Sequence, residues 1–358
     1  MKWWYQLKTN PRWIRLVNWE FWPTFMFYGP MVPLFCWMAL RYRHLCFFTT
    51  ANPKIFTGGT GMESKFKTLL LIPPEYRPIT IYVPSGQAYA EVQANLHKEN
   101  IAFPVILKPD VGYRGLLVHL VKSEPELQAL LSTYQVNFII QEYIPYPEEF
   151  GVLYYRFPHQ KTGQISSITL KDFLHVFGDG RSSVRELMLK KSRTSLQFER
   201  MQEERAELMN KVPAPGEKVY LGKIGNHSRG TTFLNGNHLI DQQLIETFDK
   251  ISSQIDGFFY GRFDVKCPDF ETLKAGEAIK IIEINGILAE PAHIYDPRKS
   301  NYWKALRDIA KHWILIGRIG AKSHQMGEPY LPARSLVQAI SNHLTYLRNI
   351  KAMARKQV

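Results

Sequence analysis

Hydrophobic and polar residues alternate with a period of two in two stretches late in the chain, residues 261–266 (GRFDVK) and 280–286 (KIIEING). This period is typical of strands that are buried on one side. If the strands pair, one face extends four polar side chains into a common cleft, those of Arg262, Asp264, Glu283 and Asn285. Mg²⁺ takes carboxylate and amide oxygens, and a nearby guanidinium neutralises phosphoryl charge. Either strand alone is better explained by a few solvated charges on a sheet, but the two together favour a metal–nucleotide site.

The same patterns divide the rest of the chain into strands and helices. Strands are predicted at residues 45–51, 79–83, 103–109, 116–121, 137–144, 150–156 and 164–171. Helices are predicted at residues 87–98, 124–134, 185–211, 241–255, 302–317 and 333–352. Ser123 and Glu126 match a capping box at the start of the second helix. This mixture predicts an α+β protein whose N-terminal part contains a βα unit.

A lysine stands near the end of the strand at 103–109, and a loop with glycines follows it. Lys108 precedes the loop DVGYRG, which contains Gly112, Tyr113, Arg114 and Gly115. A lysine on a strand meets phosphate as a point charge, and glycines let backbone N–H groups close over phosphate oxygens. The pattern predicts a lid over a nucleotide, although an ordinary hairpin with an exposed lysine would look the same.

The strand at 137–144 runs out to a proline and then to two acidic residues. Such a strand can present its backbone to the edge of a purine, and Glu148 and Glu149 could take ribose hydroxyls. Lys171 ends a later strand and is a second candidate for contact with phosphate.

Residues 21–40 (FWPTFMFYGPMVPLFCWMAL) carry no charge. Their length would suit a membrane span, but Pro23, Pro30 and Pro33 interrupt the helix that a lone span requires. We expect an aromatic cap, buried or on the surface. A contact at the membrane interface stays an alternative, and a true span is the least expected of the three.

Composition and charge narrow the class of protein. The 358 residues are 45% hydrophobic and 13% aromatic, which is enough for two or three packed units. The net charge of +13 attracts anions, but the basic residues are dispersed and match no nucleic-acid-binding module, so nucleic acid is not an expected partner. Cys36, Cys46 and Cys267 lack paired spacing, which indicates a reducing, cytoplasmic setting.

Lys108, the glycine loop, the strand at 141–144, Lys171 and the set from Arg262 to Asn285 occur in an order that resembles the ATP-grasp superfamily. Within it, the chain looks most like the carboxylate–amine ligases, the group of D-alanine–D-alanine ligase, the glutathione-type ligases and cyanophycin synthetase. The resemblance covers about residues 100–296, and residues 177–187 (FGDGRSSVREL) are similar to a GDG-x-[ST]-[TS]-[VI]-x-[ED]-L signature of several such ligases.

The resemblance implies an ATP-grasp fold in which two α+β subdomains clasp ATP behind an N-terminal pre-ATP-grasp domain. The expected divisions are an N-terminal domain at 1–85, a small lid subdomain at 86–144, a large subdomain at 145–322 and a basic C-terminal helix at 323–358.

The resemblance also implies roles for the candidate residues. Lys108 and Lys171 would contact the phosphates of ATP under the lid from Gly112 to Gly115, and Lys171 and Arg262 would take part in catalysis. Adenine would bind along Gln141, Glu142, Tyr143 and Ile144, and ribose at Glu149. Asp264, Glu283 and Asn285 would hold Mg²⁺, with two ions expected and Mn²⁺ as a substitute.

The implied reaction activates a carboxylate as an acyl phosphate, which an amine then attacks to form an amide. The expected partners are therefore a small-molecule acid and amine. A kinase with the same fold, which phosphorylates a hydroxyl, stays an alternative. A membrane-surface or partner-binding protein that retains the fold is a second alternative, with contact through residues 21–40.

Residues 225–230 (GNHSRG) form a polar loop before a further strand, and this loop supplies candidate residues for binding the acid substrate. His227, Ser228 and Arg229 could reach the cleft, where a guanidinium suits a carboxylate. A loop anchored to its own backbone explains the same residues equally well. The loop is not expected to be a hydrolase nucleophile elbow, because Asn226 stands where that motif requires glycine.

Overall fold

Antiparallel pairing joins the strands of the computed structural model, which describes residues 10–112, 115–222 and 225–355. The strands are β1 (Thr80–Val83), β2 (Val105–Pro109), β3 (His119–Val121), β4 (Phe138–Glu142), β5 (Glu148–Tyr155), β6 (Gln164–Asp172), β7 (His175–Phe177), β8 (Lys218–Tyr220), β9 (Thr232–Asn235), β10 (Tyr260–Cys267) and β11 (Lys280–Asn285). In this described part of the chain they form a four-stranded sheet, β1-β4-β2-β3, a five-stranded sheet, β11-β10-β5-β6-β9, and the pair β7-β8.

Helices cover the sheets and form the N-terminal and C-terminal layers. They are α1 (Pro11–Val17), α2 (Thr24–Tyr28), α3 (Val32–Arg41), α4 (Lys65–Leu70), α5 (Tyr89–Lys98), α6 (Glu124–Thr133), α7 (Val184–Leu189), α8 (Ser192–Ser195), α9 (Phe198–Glu204), α10 (Ala206–Met209), α11 (Gln242–Ser253), α12 (Phe270–Ala275), α13 (Tyr302–Gln325) and α14 (Ala333–Arg355).

The four-stranded sheet shares one apolar core with α5, α6 and the end of α14. Leu347 and Ile350 of α14 are buried there beside sheet residues such as Val105 and Ile140. The strand β1 belongs to the same unit, because Thr80 pairs with Gln141 of β4. The predicted boundary at 85/86 thus separates β1 from its sheet, and the one at 322/323 separates α14 from the core in which it is buried.

The five-stranded sheet packs against α11 and carries the two strands with period-two patterns. Phe150, Phe248 and Phe263 are buried together in this core. The predicted pairing of the two strands is confirmed, because β10 and β11 are antiparallel neighbours. In their register, Arg262 lies opposite Asn285 and Asp264 lies opposite Glu283, which brings the four polar residues to one end of the pair.

An aromatic N-terminal layer lies along α13. Trp22 packs on Tyr302, Tyr28 stacks on Trp313, and a Cβ at Gly317 would meet the Met38 side chain. In residues 21–40 the chain forms α2 and α3 with a short 3₁₀ turn between them. Within the described ranges, none of the helices has both the length and the hydropathy needed to cross a membrane.

Three local predictions are wrong. Residues 45–51 form turns and a 3₁₀ helix instead of a strand, where the Thr50 hydroxyl donates to the carbonyl of Gly320 at 2.8 Å. The region 185–211 is not one helix but four short ones, α7 to α10, interrupted where the backbone of Lys191 and Arg205 leaves the helical range. Ser123 forms no side-chain capping bond, and Glu126 accepts the backbone N–H of Lys122 and not that of Ser123.

Candidate functional site

A cleft of about 1200 Å³ is lined by both large sheets and by the N-terminal layer. The four-stranded sheet contributes Ile106, Lys108 and Gln141, and the five-stranded sheet contributes Lys171 and the polar residues of β10 and β11. Clefts of this size between packed units are common binding sites for small molecules. All four residues predicted from the period-two pattern line this cleft.

The oxygen-rich centre of the cleft is formed by Asp264, Glu283 and Asn285. Strand pairing places the first two opposite each other, and the Asn285 amide donates to Asp264 Oδ2 at 3.2 Å. Two carboxylates and an amide oxygen are hard ligands that fit Mg²⁺ or Mn²⁺. Among the described residues, no group of three or more His, Cys, Asp or Glu side chains is arranged so that it could hold a metal ion by itself.

Four cationic side chains surround these oxygens. The Arg262 guanidinium donates to both oxygens of Asp264, at 2.8 and 3.2 Å. Lys171 Nζ lies 3.3 Å from Asp264 Oδ1 and 2.7 Å from Glu149 Oε1. Lys65 donates to Glu283. Lys108 Nζ donates to Gln141 Oε1 at 3.0 Å and to the carbonyl of Ile282 at 3.1 Å.

The charges of this cluster fix its protonation states. Burial alone would raise the pKa of Asp264, but Arg262 and Lys171 outweigh it and hold that pKa well below its usual range. Burial would also raise the pKa of Glu283, but the positive charges of Lys65 and Lys108 outweigh burial, so this pKa is lowered as well. Both carboxylates are therefore ionised near neutral pH, as a metal ligand requires.

Lys108 differs from the other cations of the cluster. Its burial, with the nearby charge of Lys65, lowers its pKa to about 8. Burial also acts against the charged form of Lys171, but Asp264 and Glu149 outweigh it and raise the pKa of Lys171. The protonation of Lys108 is thus the more easily changed of the two, since it has amide and carbonyl partners where Lys171 has carboxylates.

Lys65 was not among the residues predicted from the sequence. It lies in the first turn of α4, and its ammonium bonds a carboxylate 218 residues away. A Cβ at Gly112 would come within 2.6 Å of Lys65 Cε, so the backbone at Gly112 lies directly against this lysine side chain. No local signal identifies it, because a lysine after a helix N-cap is common on protein surfaces.

The predicted base-binding strand lies at the edge of the cleft. Gln141, Glu142, Tyr143 and Ile144 all line it, together with the apolar Ile106 and Val118. The Glu142 carboxylate accepts the N–H of Ile79 at 2.9 Å, so this side chain ties β4 to β1. Together with the backbone beyond β4, these apolar side chains give this edge of the cleft, named here the base slot, a composition compatible with a purine ring.

The predicted lid and ribose residues have separate surroundings. Gly112 and Gly115 line the cleft, and Gly115 has a φ of +74°, which favours glycine. Tyr113 and Arg114 lie outside the described residues. The Glu149 carboxylate is buried and bonds Lys171, and a Cβ at Gly225 would come within 2.5 Å of it.

Only part of the predicted acid-binding loop lines the cleft. His227 and Ser228 line the cleft, but His227 pairs with Glu20 at 3.0 Å, and the Ser228 hydroxyl bonds Asn226 at 2.7 Å. Arg229 lies beside the lid, 3.6 Å from where a Cβ of Gly115 would stand, and is not part of the cleft lining. The structure therefore brings two of the three residues to the cleft.

One lobe of the cleft is formed by the N-terminal layer, and the residues that line it there were not among the predicted site residues. Glu20 bonds Arg193 at 2.6 Å as well as His227. Tyr28 and Tyr295 both donate to the carboxylate of Glu290, the latter at 2.5 Å. A sequence signal did exist for Glu20, which is the one acidic residue before Glu63 and stands within the aromatic run WEFW.

A glycine loop closes the base of this lobe. Gly59 has a φ of +92°, and a Cβ there would lie 2.5 Å from the Cα of Gly286. The backbone N–H groups of Ile287 and Leu288 donate to the carbonyls of Gly58 and Gly59 at 3.1 and 3.0 Å. The N-terminal loop is thus bonded directly to the chain that leaves the end of β11.

Solved structures of several enzymes resemble this chain at low identity. A bifunctional glutathione synthetase from Pasteurella multocida is 15% identical, with a TM-score of 0.39, and the match covers 72% of this chain and 38% of that one. D-alanine–D-alanine ligase from Bacillus anthracis is 15% identical, with a TM-score of 0.42, and the match covers 74% of this chain and 69% of that one. D-alanine–D-alanine ligase from Helicobacter pylori is 18% identical, with a TM-score of 0.36, and the match covers 70% of this chain and 60% of that one. The chain thus spans less than two fifths of the length of the Pasteurella enzyme.

The sequence itself matches a family model over part of its length. No curated protein matches the chain. Residues 70–153 match the RimK-like ATP-grasp domain, a range that includes β1 to β4 and most of β5, and with it Lys108 and Glu149. The predicted resemblance to ATP-grasp proteins and the predicted α+β fold class are confirmed: residues 70–153 of this chain match the RimK-like ATP-grasp domain, and the described chain combines helices with antiparallel sheets.

Proposed function

We propose that this chain is an ATP-dependent ligase that activates a carboxylate as an acyl phosphate and joins it to an amine. The observation that carries the proposal is the convergence of Arg262, Asp264, Glu283 and Asn285 with Lys108 and Lys171 in one cleft between the two sheets. A centre with ionised carboxylates and surrounding cations suits Mg·ATP, which brings both cationic metal and anionic phosphate.

Asp264, Glu283 and Asn285 would hold the magnesium, which when bound neutralises phosphate charge and makes the γ-phosphoryl group more electrophilic. Two magnesium ions would bind, and Mn²⁺ could replace them. Lys65 now bonds Glu283, so metal ligation by this carboxylate has to compete with the lysine ammonium. Once released, Lys65 would lie beside Gly112, where it can contact phosphate under the lid.

The nucleotide would lie across the cleft with its base in the slot at residues 141–144. Lys108 and Lys171 would contact the phosphates, and the backbone from Gly112 to Gly115 would cover them. The ion pair of Glu149 uses Oε1, so the ribose role proposed for this residue falls to Oε2. Positioning of this kind supplies most of the catalysis in phosphoryl transfer.

In the reaction, a carboxylate oxygen attacks the γ-phosphorus and ADP leaves, and the amine nitrogen then attacks the acyl carbon and releases phosphate. Arg262 lies on β10 beside the metal ligands and would stabilise the phosphoryl group in transfer. The acid and the amine would bind in the lobe formed by the N-terminal layer, next to Glu290 and His227. The aromatic residues Trp19, Phe21 and Tyr295 also line this lobe.

The test is a product analysis with purified full-length chain, Mg·ATP and a panel of acids and amines. We expect ADP, free phosphate and an amide in equal amounts, and no turnover when either the acid or the amine is left out. A stable phosphoester without free phosphate would replace the proposal with a kinase. If no acid–amine pair releases ADP although ATP binds, the ligase assignment is wrong.

A further inference from the structure

The helix α3 has one face that packs on the protein and one face that does not. Met38 and Ala39 are buried, and Phe35 contacts Phe47 and Trp313. The opposite positions, spaced three and four residues apart as on one side of a helix, are exposed and apolar, namely Val32, Pro33, Cys36, Trp37 and Leu40. Trp37 is 51% exposed and Leu40 is 78% exposed, so the surrounding described residues leave this face open to solvent.

The neighbouring helix α13 extends the same pattern. Its positions Trp313 and Gly317 contact the N-terminal layer. Next to them around the helix lie Trp303, which is 73% exposed, and Ile314. Further round on the exposed side lie the basic residues Lys304, Arg307, Lys311 and Arg318. We name the exposed residues of α3 with Trp303, Ile314 and these four basic residues the outer surface.

Charge on this part of the chain is almost entirely positive. Glu20 is the one acidic residue before Glu63, against the basic residues Lys2, Lys8, Arg12, Arg15, Arg41, Arg43 and Lys54. Glu20 is not available to the outer surface, because it is partly buried and bonds Arg193 and His227 in the cleft. In α13 the one acid, Asp308, bonds Lys311 and lies near His293.

We propose that the outer surface binds an anionic phospholipid bilayer. Exposed tryptophan and aliphatic side chains enter the interfacial region of a bilayer, and flanking lysine and arginine side chains bind anionic headgroups. Nucleic acid would use the same positive charge but gives no reason for Trp37, Leu40 and Val32 to face solvent. This inference concerns a surface apart from the nucleotide cleft and does not depend on the ligase reaction.

The docking is peripheral. The helix α3 has ten residues and α2 has five, so both are too short to span and suited to lie along a surface. Arg41 lies over the Trp37 ring at 5.6 Å, which places a cationic and an interfacial side chain together at the end of the helix.

The experiment is flotation of the full chain with two kinds of vesicle, one of phosphatidylcholine alone and one that also contains phosphatidylglycerol. We expect binding to the anionic vesicles at low salt, weaker binding at high salt, and little binding to the neutral vesicles. The double variant Trp37→Ser/Leu40→Ser should lower the vesicle partition coefficient about tenfold or more, because it removes two interfacial side chains.

The matched control is Val337→Ser/Leu344→Ser on α14, where the two side chains are 66% and 51% exposed. This variant also replaces two exposed apolar helix side chains by serine and should bind vesicles like the wild type. Thermal unfolding of both variants checks that they are folded. A third variant, Arg41→Glu/Lys304→Glu, should lose the preference for anionic over neutral vesicles.

Several outcomes would overturn the inference. One is no flotation of the wild type with anionic vesicles at low salt. Another is equal binding by the wild type and by Trp37→Ser/Leu40→Ser, and a third is loss of binding in the α14 variant instead. Sedimentation velocity without lipid adds a fourth: a dimer of the wild type that Trp37→Ser/Leu40→Ser converts to a monomer would assign the outer surface to a second copy of the chain.

Discussion

The centre of the cleft and the outer surface differ in how their side chains are matched to their surroundings. In the cleft, the charged residues Arg262, Asp264, Lys171 and Glu149 bond one another, and Lys65 bonds Glu283. On the outer surface, apolar side chains meet water and positive charges have few acidic neighbours. Both arrangements are costly, because buried ions lose hydration and exposed apolar area orders water. The contrast teaches that a site can be recognised either by dense pairing of buried charges or by apolar side chains that stay exposed to solvent beside an excess of positive charge.

The strongest test of the cleft is Asp264→Asn. This change removes the carboxylate that Arg262 and Lys171 share, and with it a proposed metal ligand, so turnover should fall by at least about a hundredfold. The free energy of unfolding should fall by about 3 kcal/mol, because two buried cations lose a partner. Steady-state ADP release and urea unfolding measure the two effects.

Asp172→Asn is the control for that variant, because Asp172 is an acidic residue of β6 with partners Lys218 and His175 outside the cleft. It should turn over like the wild type. Turnover by Asp264→Asn at the wild-type rate would show that the paired charges of the cleft are structural only.

A second expected effect comes from Lys108, whose pKa of about 8 lies well below the usual value for lysine. Below pH 8 its ammonium is protonated and can bind phosphate, and above pH 8 it is neutral. ATP affinity, measured by calorimetry, should therefore fall by about tenfold as the pH rises from 7 to 9.5. Lys108→Arg should remove this dependence, since a guanidinium stays charged; a wild-type affinity that is flat over this range contradicts the assignment.

Lys65→Met should shift the acid limb of the pH profile of kcat/KM. Lys65 is one of the groups that hold the pKa of Glu283 below its usual value, so its removal raises that pKa. Glu283 then takes up its proton at a higher pH as the solution is acidified, and the acid limb of kcat/KM moves upward by a fraction of a pH unit to one unit. A profile with an unchanged acid limb would show that Glu283 ionisation does not limit the reaction.

Glu20→Gln tests the charged contact that joins the N-terminal layer to the cleft. The side chain bonds both Arg193 and His227, so its neutralisation should lower the free energy of unfolding by about 1–2 kcal/mol. We expect KM for the acid or the amine to rise several-fold with KM for ATP unchanged, because the pair lies in the lobe away from the base slot. A rise in both KM values would instead indicate a general loss of cleft structure.

The smallest expected effect belongs to the outer surface. Trp37→Ser/Leu40→Ser should change the free energy of unfolding in lipid-free buffer by about 0.5 kcal/mol or less, because exposed side chains make few packing contacts. Chemical denaturation measures it. A loss of several kcal/mol would mean that these side chains are part of the core and that the contrast with the cleft is false.

The parts of the fold that were predictable are those with local signals. The pairing of β10 with β11 follows from alternation with a period of two, which also sets the face that carries Asp264 and Glu283. The break of 185–211 into short helices was not predictable from its charged pattern, because it depends on local backbone geometry at Lys191 and Arg205.

The parts of the site that could not be predicted depend on contacts between distant segments. Lys65 meets Glu283, and Glu20 meets Arg193, only because the chain folds back over more than a hundred residues. The packing of α14 into the core of the four-stranded sheet was not predictable for the same reason, because an apolar helix face does not indicate which element it will pack against. Periodicity gives which face of an element is buried but not which element covers it.

The contact between Gly59 and Gly286 limits how the specificity of this protein can be re-engineered. The loop at 58–59 is bonded to the backbone of residues 287 and 288, immediately after β11, the strand that carries the proposed metal ligands Glu283 and Asn285, and neither glycine leaves space for a side chain. A chimera that imports another N-terminal segment to change the substrate would therefore also replace the support of Asn285. We expect such exchanges to succeed only with a junction after residue 61 or with a donor that has glycine at the position of Gly59.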